Sequence, residues 1–153
     1  MPQKIALSKP NLSKKDISEI VKSLNTGWLT HGDKNLIFEK NFSKKIKVKY
    51  SISMNSCTSA LECSLKVIEK KGEVIIPSWT WVSTANAVLN TGNIPVFSDV
   101  EINSRNITAK EIEKKITKKT IAVIIVHFAG HPCDMGDIIK LCKKKKIELI
   151  EDS

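Results

Sequence analysis

The feature that most constrains the fold is an uninterrupted apolar run, Ile121–Val126. A strand that is apolar on both of its faces must be covered on both, as in the interior of a parallel sheet. Shorter β-type runs lie at Ser51–Met54, Val74–Ile76, Pro95–Phe97 and Glu148–Ile150. Together these runs predict a mostly parallel sheet with helices on both sides.

Helical stretches alternate with the β-type runs. The first has a cap at Ser13, Asp16 in its first turn, apolar residues at spacings of three and four, and a stop at Gly27. Thr108, followed three residues later by Glu111, is a capping box that predicts the start of another helix. The predicted helices after the first are Lys34 to about Ile46, with Ile37, Phe38 and Phe42 buried, then Thr58–Lys70, Thr80–Leu89, Thr108–Ile116 and Asp134–Lys146. This alternation predicts an α/β fold in three layers, α/β/α, with right-handed crossovers.

The net charge of +9 raises the question of a nucleic-acid partner. Arg105 is the only arginine among the 25 basic residues, although arginine is the side chain best suited to bidentate reading of guanine. The lysine runs are expected on helix faces or ends, where lysine keeps its charge in water; they are Lys44–Lys45, Lys114–Lys115, Lys118–Lys119 and Lys143–Lys146. Nucleic acid is therefore not the expected partner.

Other classes of protein are disfavoured by what the sequence lacks. No apolar run approaches the ~20 residues that span a bilayer, and the first ten residues have no signal-peptide pattern, so we expect a cytoplasmic protein without a membrane partner. The four cysteines form no CxxC pair, which disfavours both a disulfide framework and a zinc site; they are Cys57, Cys63, Cys133 and Cys142.

Ligands of open parallel sheets bind beyond the carboxyl ends of the strands. The segments to consider are therefore 55–59, 77–84, 127–132 and 151–153. The first lies in the small polar turn Asn55–Leu61, which opens a helix and can accept an anion such as phosphate on its N–H groups, although Ser and Thr at such a place also act as ordinary caps. Cys57 has no assignable partner base, which disfavours a nucleophile.

The other segments carry aromatic, histidine and acidic side chains. Pro77–Asn86 holds two of the three tryptophans, each suited either to stacking on a planar ring or to a place in the core. His127 and His131 have the spacing of a metal pair on a helix, but the glycine and proline in this segment disfavour a continuous helix, so a loop beside the pocket is expected instead. The adjacent acids Glu151 and Asp152 point to opposite sides of a β-run, where a carboxylate can pair with a ligand cation or cap a helix.

Seven segments in the same order resemble the DegT/StrS family of sugar aminotransferases, which has the fold of the aspartate aminotransferase superfamily. They are Gly27–Gly32, Asn55–Leu61, Val74–Asn86, Gly92–Asp99, Lys115–Thr120, Val126–Met135 and Ile150–Asp152. The resemblance implies that residues 33–153 are an incomplete large domain of a fold-type I enzyme that binds pyridoxal phosphate. Residues 1–32 would form an N-terminal helix and a substrate-side loop, and the C-terminal domain would be absent.

The resemblance also implies roles for single residues. Cys57 and Thr58 would bind the cofactor phosphate, although many members of the family have glycine in place of Cys57. Trp81 would stack on the pyridine ring, and Asp152 would pair with the ring nitrogen. On the substrate side, Thr30 and His131 are implied, and no metal is.

By the same resemblance, the complete protein would transfer an amino group, with glutamate as the expected donor, to a nucleotide-linked keto sugar for polysaccharide or amino-sugar biosynthesis. It would act as a homodimer. The Schiff-base lysine of the family lies beyond the Glu151–Asp152 pair, and none of the lysines present occupies its place, so the chain alone is expected to be inactive. A cofactor-dependent sugar dehydratase, a non-catalytic fragment, and a nucleotide- or nucleic-acid-binding α/β module remain alternatives, the last without a GxGxxG or GxxxxGK[ST] loop.

Overall fold

The computed structural model describes residues 9–153. Contacts between residues divide the chain into a first unit that ends at Ser53 and a second unit, Met54–Ser153. The domain boundary expected between residues 32 and 33 lies within the first unit. None of the helices in residues 9–153 is long and apolar enough to cross a membrane.

From residue 9 onward, the first unit contains two helices, α1 (Lys14–Asn25) and α2 (Asp33–Ile46). The predicted start of α1 is confirmed by a capping box, in which the Asp16 N–H donates to Ser13 Oγ at 3.2 Å and the Ser13 N–H donates to Asp16 Oδ2 at 2.8 Å. The hydrogen bond from the Ser13 hydroxyl to Asp16 Oδ2, 2.7 Å long, and that from the Ser13 N–H lower the pKa of Asp16. The helix ends shortly before Gly27, whose φ of +70° is readily adopted only by glycine.

Two expectations for the first unit are wrong. Ile37, Phe38 and Phe42 of α2 are 55%, 57% and 44% exposed rather than buried. The helical spacing of apolar residues identifies the apolar face of α2, but it does not say what covers that face. Phe38 and Phe42 pack against each other, with ring centroids 5.8 Å apart.

The predicted strand Ser51–Met54 is also absent. Its backbone pairs with no other strand of the described residues. Instead the Ser53 N–H and Oγ each donate to Glu39 Oε1 at 2.8 Å, and the Ser51 hydroxyl donates to the Glu39 carbonyl at 2.6 Å. The hydrogen bonds from Ser53 lower the pKa of Glu39. Glu39 of α2 therefore holds Ser51 and Ser53 in place by hydrogen bonds rather than by strand pairing.

The second unit is built on four strands, β1 (Glu73–Pro77), β2 (Ile94–Ser98), β3 (Thr120–Val126) and β4 (Glu148–Asp152). They pair in the order β2-β1-β3-β4, and every pair is parallel. The four remaining predicted strands are thereby confirmed, each one or two residues longer than expected. The uniformly apolar β3 lies inside the sheet, as its sequence requires.

Four helices surround this sheet: α3 (Cys57–Lys66), α4 (Val82–Asn90), α5 (Ala109–Lys115) and α6 (Met135–Lys145). Helix α3 ends four residues earlier than predicted, because after Lys66 the chain turns, with the Ile68 N–H donating to the Leu65 carbonyl. Thr108 caps α5 as expected, accepting from the Glu111 N–H at 3.3 Å.

Two apolar clusters lie on opposite faces of the sheet. On one face Val74 and Ile76 pack with Leu65 of α3 and Val88 of α4. On the other face Ile75 packs with apolar side chains of α5 and α6, among them Ile112 and Ile138. The alternation of β1 between the two clusters confirms the three-layer α/β/α arrangement.

Candidate active site

The site is centred on Asp152, at the carboxyl end of β4. Ile150 packs on the α3/α4 face of the sheet, and strand alternation places Asp152 on the same face. Its Oδ1 lies 3.3 Å from Cys57 Sγ, and its Oδ2 lies 3.1 Å from Thr84 Oγ1. The carboxylate thus joins β4 to the first turns of α3 and α4, and it lies in hydrogen-bond contact with Cys57 and Thr84.

The start of α3 offers free donors beside this carboxylate. Ser56 caps the helix, and its Oγ accepts from the Ser59 N–H at 3.1 Å. Within residues 9–153 no acceptor is bound to the N–H groups of Cys57 and Thr58. Cys57 has a negative φ, so its side chain causes no backbone strain where many relatives have glycine. Two unpaired N–H groups at the positive end of a ten-residue helix can receive a phosphate.

The Cys57 thiol is a donor to Asp152 and not a nucleophile. Burial raises its pKa, and the hydrogen bond to Asp152 and the negative charge of that carboxylate raise it further. A protonated thiol has a proton to donate, whereas attack on a substrate would require the thiolate.

Trp81 is the N-cap residue of α4 and is 78% exposed. Because Trp81 is this exposed, it does not occupy the core position that the sequence also allowed. Its indole face is available for stacking. The Thr84 N–H donates to the Trp81 carbonyl at 3.1 Å, so Trp81 is held in the same turn that contacts Asp152. Trp79 is 53% exposed and packs instead against Phe128 and Arg105.

The two histidines have different surroundings. His127 Nδ1 accepts from the Cys133 N–H at 3.1 Å, which leaves the ring proton on Nε2, 3.2 Å from Glu151 Oε2. His131 is exposed, and its carbonyl accepts from Asn106 Nδ2 at 2.8 Å. In residues 9–153 no hydrogen bond or ion pair joins its side chain to Asp152, so the structure does not bring His131 into this cluster.

Thr30 lies in the first unit, in the bend between α1 and α2. It lines a groove of about 980 Å³ together with Trp28, Asp33 and Asn35. The groove is formed within that unit.

Thr84 is a member of the site that sequence reasoning missed. It is fully buried on the face of α4 that also presents Ala87 and Val88 to the core. The sequence feature that could have identified Thr84 is a hydroxyl residue on a helix face otherwise made of small apolar residues. A buried hydroxyl needs a hydrogen-bond partner, and a partner in a neighbouring element is an alternative to the helix's own carbonyls.

The sequence profile of the DegT/DnrJ/EryC1/StrS aminotransferase family matches residues 10–153. The chain belongs to this family. The predicted resemblance is thereby confirmed.

Relatives in the DegT/DnrJ/EryC1/StrS family are similar over nearly all of this chain. The spore coat polysaccharide biosynthesis protein SpsC of Bacillus subtilis is 38% identical over 148 residues, which are 95% of this chain and 38% of SpsC. A relative from Methanocaldococcus jannaschii is 40% identical over 147 residues, and this chain likewise spans 38% of its length.

Solved structures of relatives share the fold. PseC of Helicobacter pylori, an aminotransferase involved in the biosynthesis of pseudoaminic acid, is 33% identical with a TM-score of 0.91, over 99% of this chain and 42% of PseC. NtdA of Bacillus subtilis, solved with bound cofactor PMP, is 30% identical with a TM-score of 0.86, over 92% of this chain and 34% of NtdA. The predicted fold-type I architecture is confirmed.

The contact between Cys57 and Asp152 yields a testable prediction. Asp152→Asn should lower the pKa of the Cys57 thiol, because the negative charge that disfavours the thiolate is removed, while burial should keep that pKa above the ordinary value. The measurement is the rate of alkylation against pH in a Cys63→Ser background, which removes the other exposed cysteine.

Glu151→Gln is the matched control, since Glu151 is the adjacent acid on the opposite side of β4. It should leave the alkylation profile of Cys57 unchanged. Superimposable profiles for wild type and Asp152→Asn would contradict the contact.

Proposed function

We propose that this chain is the N-terminal part of a pyridoxal-phosphate-dependent aminotransferase that transfers an amino group from glutamate to a nucleotide-linked keto sugar. The observation that carries the proposal is the pairing of opposite electrostatic features at one edge of the sheet. The start of α3 offers unpaired N–H groups to an anion, and Asp152 offers a carboxylate to a cation.

The residues present fit the cofactor. The Cys57 and Thr58 N–H groups would hold the phosphate, with the α3 dipole favouring its charge. The exposed face of Trp81 would cover the ring, and Asp152 would receive the protonated ring nitrogen. When bound, pyridoxal phosphate supplies an electron sink for the carbon that carries the transferred amino group.

Asp152 serves the reaction by stabilising a positive charge. A carboxylate near the pyridine nitrogen keeps that nitrogen protonated, and the electron sink depends on this proton. Cys57 and Thr84 fix the carboxylate through one hydrogen bond to each oxygen. Trp81 would cover one face of the ring and exclude water from it, which is a positioning effect.

The substrate side of the proposal draws on the relatives. SpsC is a spore coat polysaccharide biosynthesis protein and PseC acts in the biosynthesis of pseudoaminic acid. Their similarity supports a sugar substrate here. We propose in addition that the complete protein acts as a homodimer in the cytoplasm. We assign Thr30 and His131 to the substrate side as well.

The roles of Trp81 and Asp152 can be separated in the full-length protein that contains this chain. Trp81→Ala should weaken cofactor binding yet recover most of the rate at saturating cofactor, because the ring nitrogen keeps its partner. Asp152→Asn should lower turnover by about two to three powers of ten even at saturating cofactor, since it removes the charge that keeps the ring protonated.

Rates measured against cofactor concentration test both variants. Trp79→Ala is the matched control, because Trp79 is the other exposed tryptophan of this segment and packs on Phe128 and Arg105. It should leave cofactor affinity close to wild type. Rescue of Asp152→Asn by excess cofactor would reduce Asp152 to a structural role.

A further prediction concerns the 153-residue chain by itself. In residues 9–153 no lysine Nζ forms a hydrogen bond or ion pair with Cys57, Thr84 or Asp152. We therefore expect this chain to bind pyridoxal phosphate weakly and without a covalent bond to one particular lysine. Borohydride reduction followed by peptide mapping measures this, and stoichiometric labelling of a single lysine in a chain that also transaminates would be the contrary outcome.

A further inference from the structure

A second hydroxyl lies behind the one that contacts Asp152. Thr80 Oγ1 is 2.9 Å from Thr84 Oγ1, which is itself 3.1 Å from Asp152 Oδ2. Thr84 is fully buried and Thr80 is half-buried. The two threonines are four residues apart in the sequence, with Thr80 just before the N-cap of α4 and Thr84 in its first turn. Two consecutive hydrogen bonds therefore link Thr80, Thr84 and the Asp152 carboxylate.

The chemistry of the groups fixes which of them donates and which accepts in each of these hydrogen bonds. A carboxylate only accepts hydrogen bonds, and a threonine hydroxyl has a single proton to donate. Thr84 therefore donates to Asp152, and Thr80 must donate to Thr84. Asp152 receives its other protein donor, the Cys57 thiol, on the opposite oxygen.

We propose that Thr84 is a positioning residue for the reaction, and that Thr80 supports it by orienting the Thr84 hydroxyl. This inference rests on the proposed function and adds to it a means of controlling the proton on the cofactor ring. A carboxylate that accepts a hydrogen bond attracts a further proton less strongly. With Thr84 donating, the shared proton stays on the ring nitrogen; without that donor, it shifts towards Asp152.

A substitution of Thr84, which contacts Asp152, should have a larger effect than one of Thr80, which contacts only the Thr84 hydroxyl. Thr84→Val removes the donor from the carboxylate while keeping a similar shape. Thr80→Val leaves that donor in place and removes only the group that orients it, so its effect should be smaller and in the same direction. Thr84→Ser retains a hydroxyl and should behave as wild type.

The test uses the full-length protein loaded with pyridoxal phosphate labelled with ¹⁵N in the ring, whose ¹⁵N chemical shift reports protonation. Thr84→Val should move the signal towards the unprotonated value and lower kcat by about tenfold at saturating cofactor, as expected for one lost hydrogen bond to a charged group. Thr80→Val should lower kcat by about threefold. Thr84→Ser should remain within about twofold of wild type.

Ser83→Ala is the matched control, because Ser83 is the neighbouring hydroxyl of α4 and has no hydrogen bond to Asp152. It should change neither the ¹⁵N shift nor kcat. Thermal denaturation of each variant separates a loss of fold from a change at the site, and Thr84→Ser keeps the test decisive if Thr84→Val does not fold.

The results separate a failure of the Thr84 positioning role from a failure of the proposed function. If Asp152→Asn moves the ¹⁵N signal and Thr84→Val does not, the positioning role is wrong and the proposed function stands. A ¹⁵N signal shifted away from wild type in Thr84→Ser would also overturn the positioning role. If Asp152→Asn leaves the signal unmoved, or the wild-type protein binds no cofactor, the proposed function itself fails.

Discussion

Parallel pairing of all four strands is the constraint on which the candidate site depends. It collects the carboxyl ends of the strands at one edge, where Val126 of β3 lies in register with Asp152 of β4. Helices that return across a parallel sheet run against the strands, so their positive N-terminal ends come to the same edge. The start of α3, the helix that precedes β1, also lies at this edge and contacts Asp152, although 95 residues separate Cys57 from it in the sequence.

The edge combines two features that select a ligand with two kinds of charge. Unpaired N–H groups at the start of α3 favour an anion, while Asp152 favours a cation. Burial, the hydrogen bond to Asp152 and the charge of that carboxylate raise the pKa of the neighbouring Cys57 thiol. Pyridoxal phosphate carries both charges, on its phosphate and on its protonated ring. A simple phosphate would leave the carboxylate without a partner, and a simple cation would leave the helix start unused. Thr84, a buried donor, contacts the same carboxylate rather than a carbonyl of its own helix.

Sequence reasoning succeeded where a local pattern has one physical solution. The uniformly apolar Ile121–Val126 could only be a covered strand, and the capping residues Ser13 and Thr108 marked helix starts correctly. It failed where the structure of a segment depends on a partner elsewhere in the chain. Ser51–Met54 is held by Glu39 rather than by a strand. The helical spacing of α2 does not show what covers Phe38, which is exposed. Asp152 and Cys57 were proposed as site residues through resemblance, whereas Thr84 was missed because a threonine on an apolar helix face is interpreted as a core residue.

The most direct measurement is the response of the Cys57 and Thr58 backbone amides to ligand, followed by ¹H–¹⁵N NMR of the full-length protein without bound cofactor. We expect both amide signals to shift when pyridoxal phosphate is added. Pyridoxal should leave them nearly unmoved, because it lacks the phosphate that these N–H groups would bind. In residues 9–153 neither N–H has an acceptor of its own. Equal shifts with the two compounds, or saturable binding of pyridoxal phosphate that leaves both amides in place, would contradict a phosphate site at the start of α3.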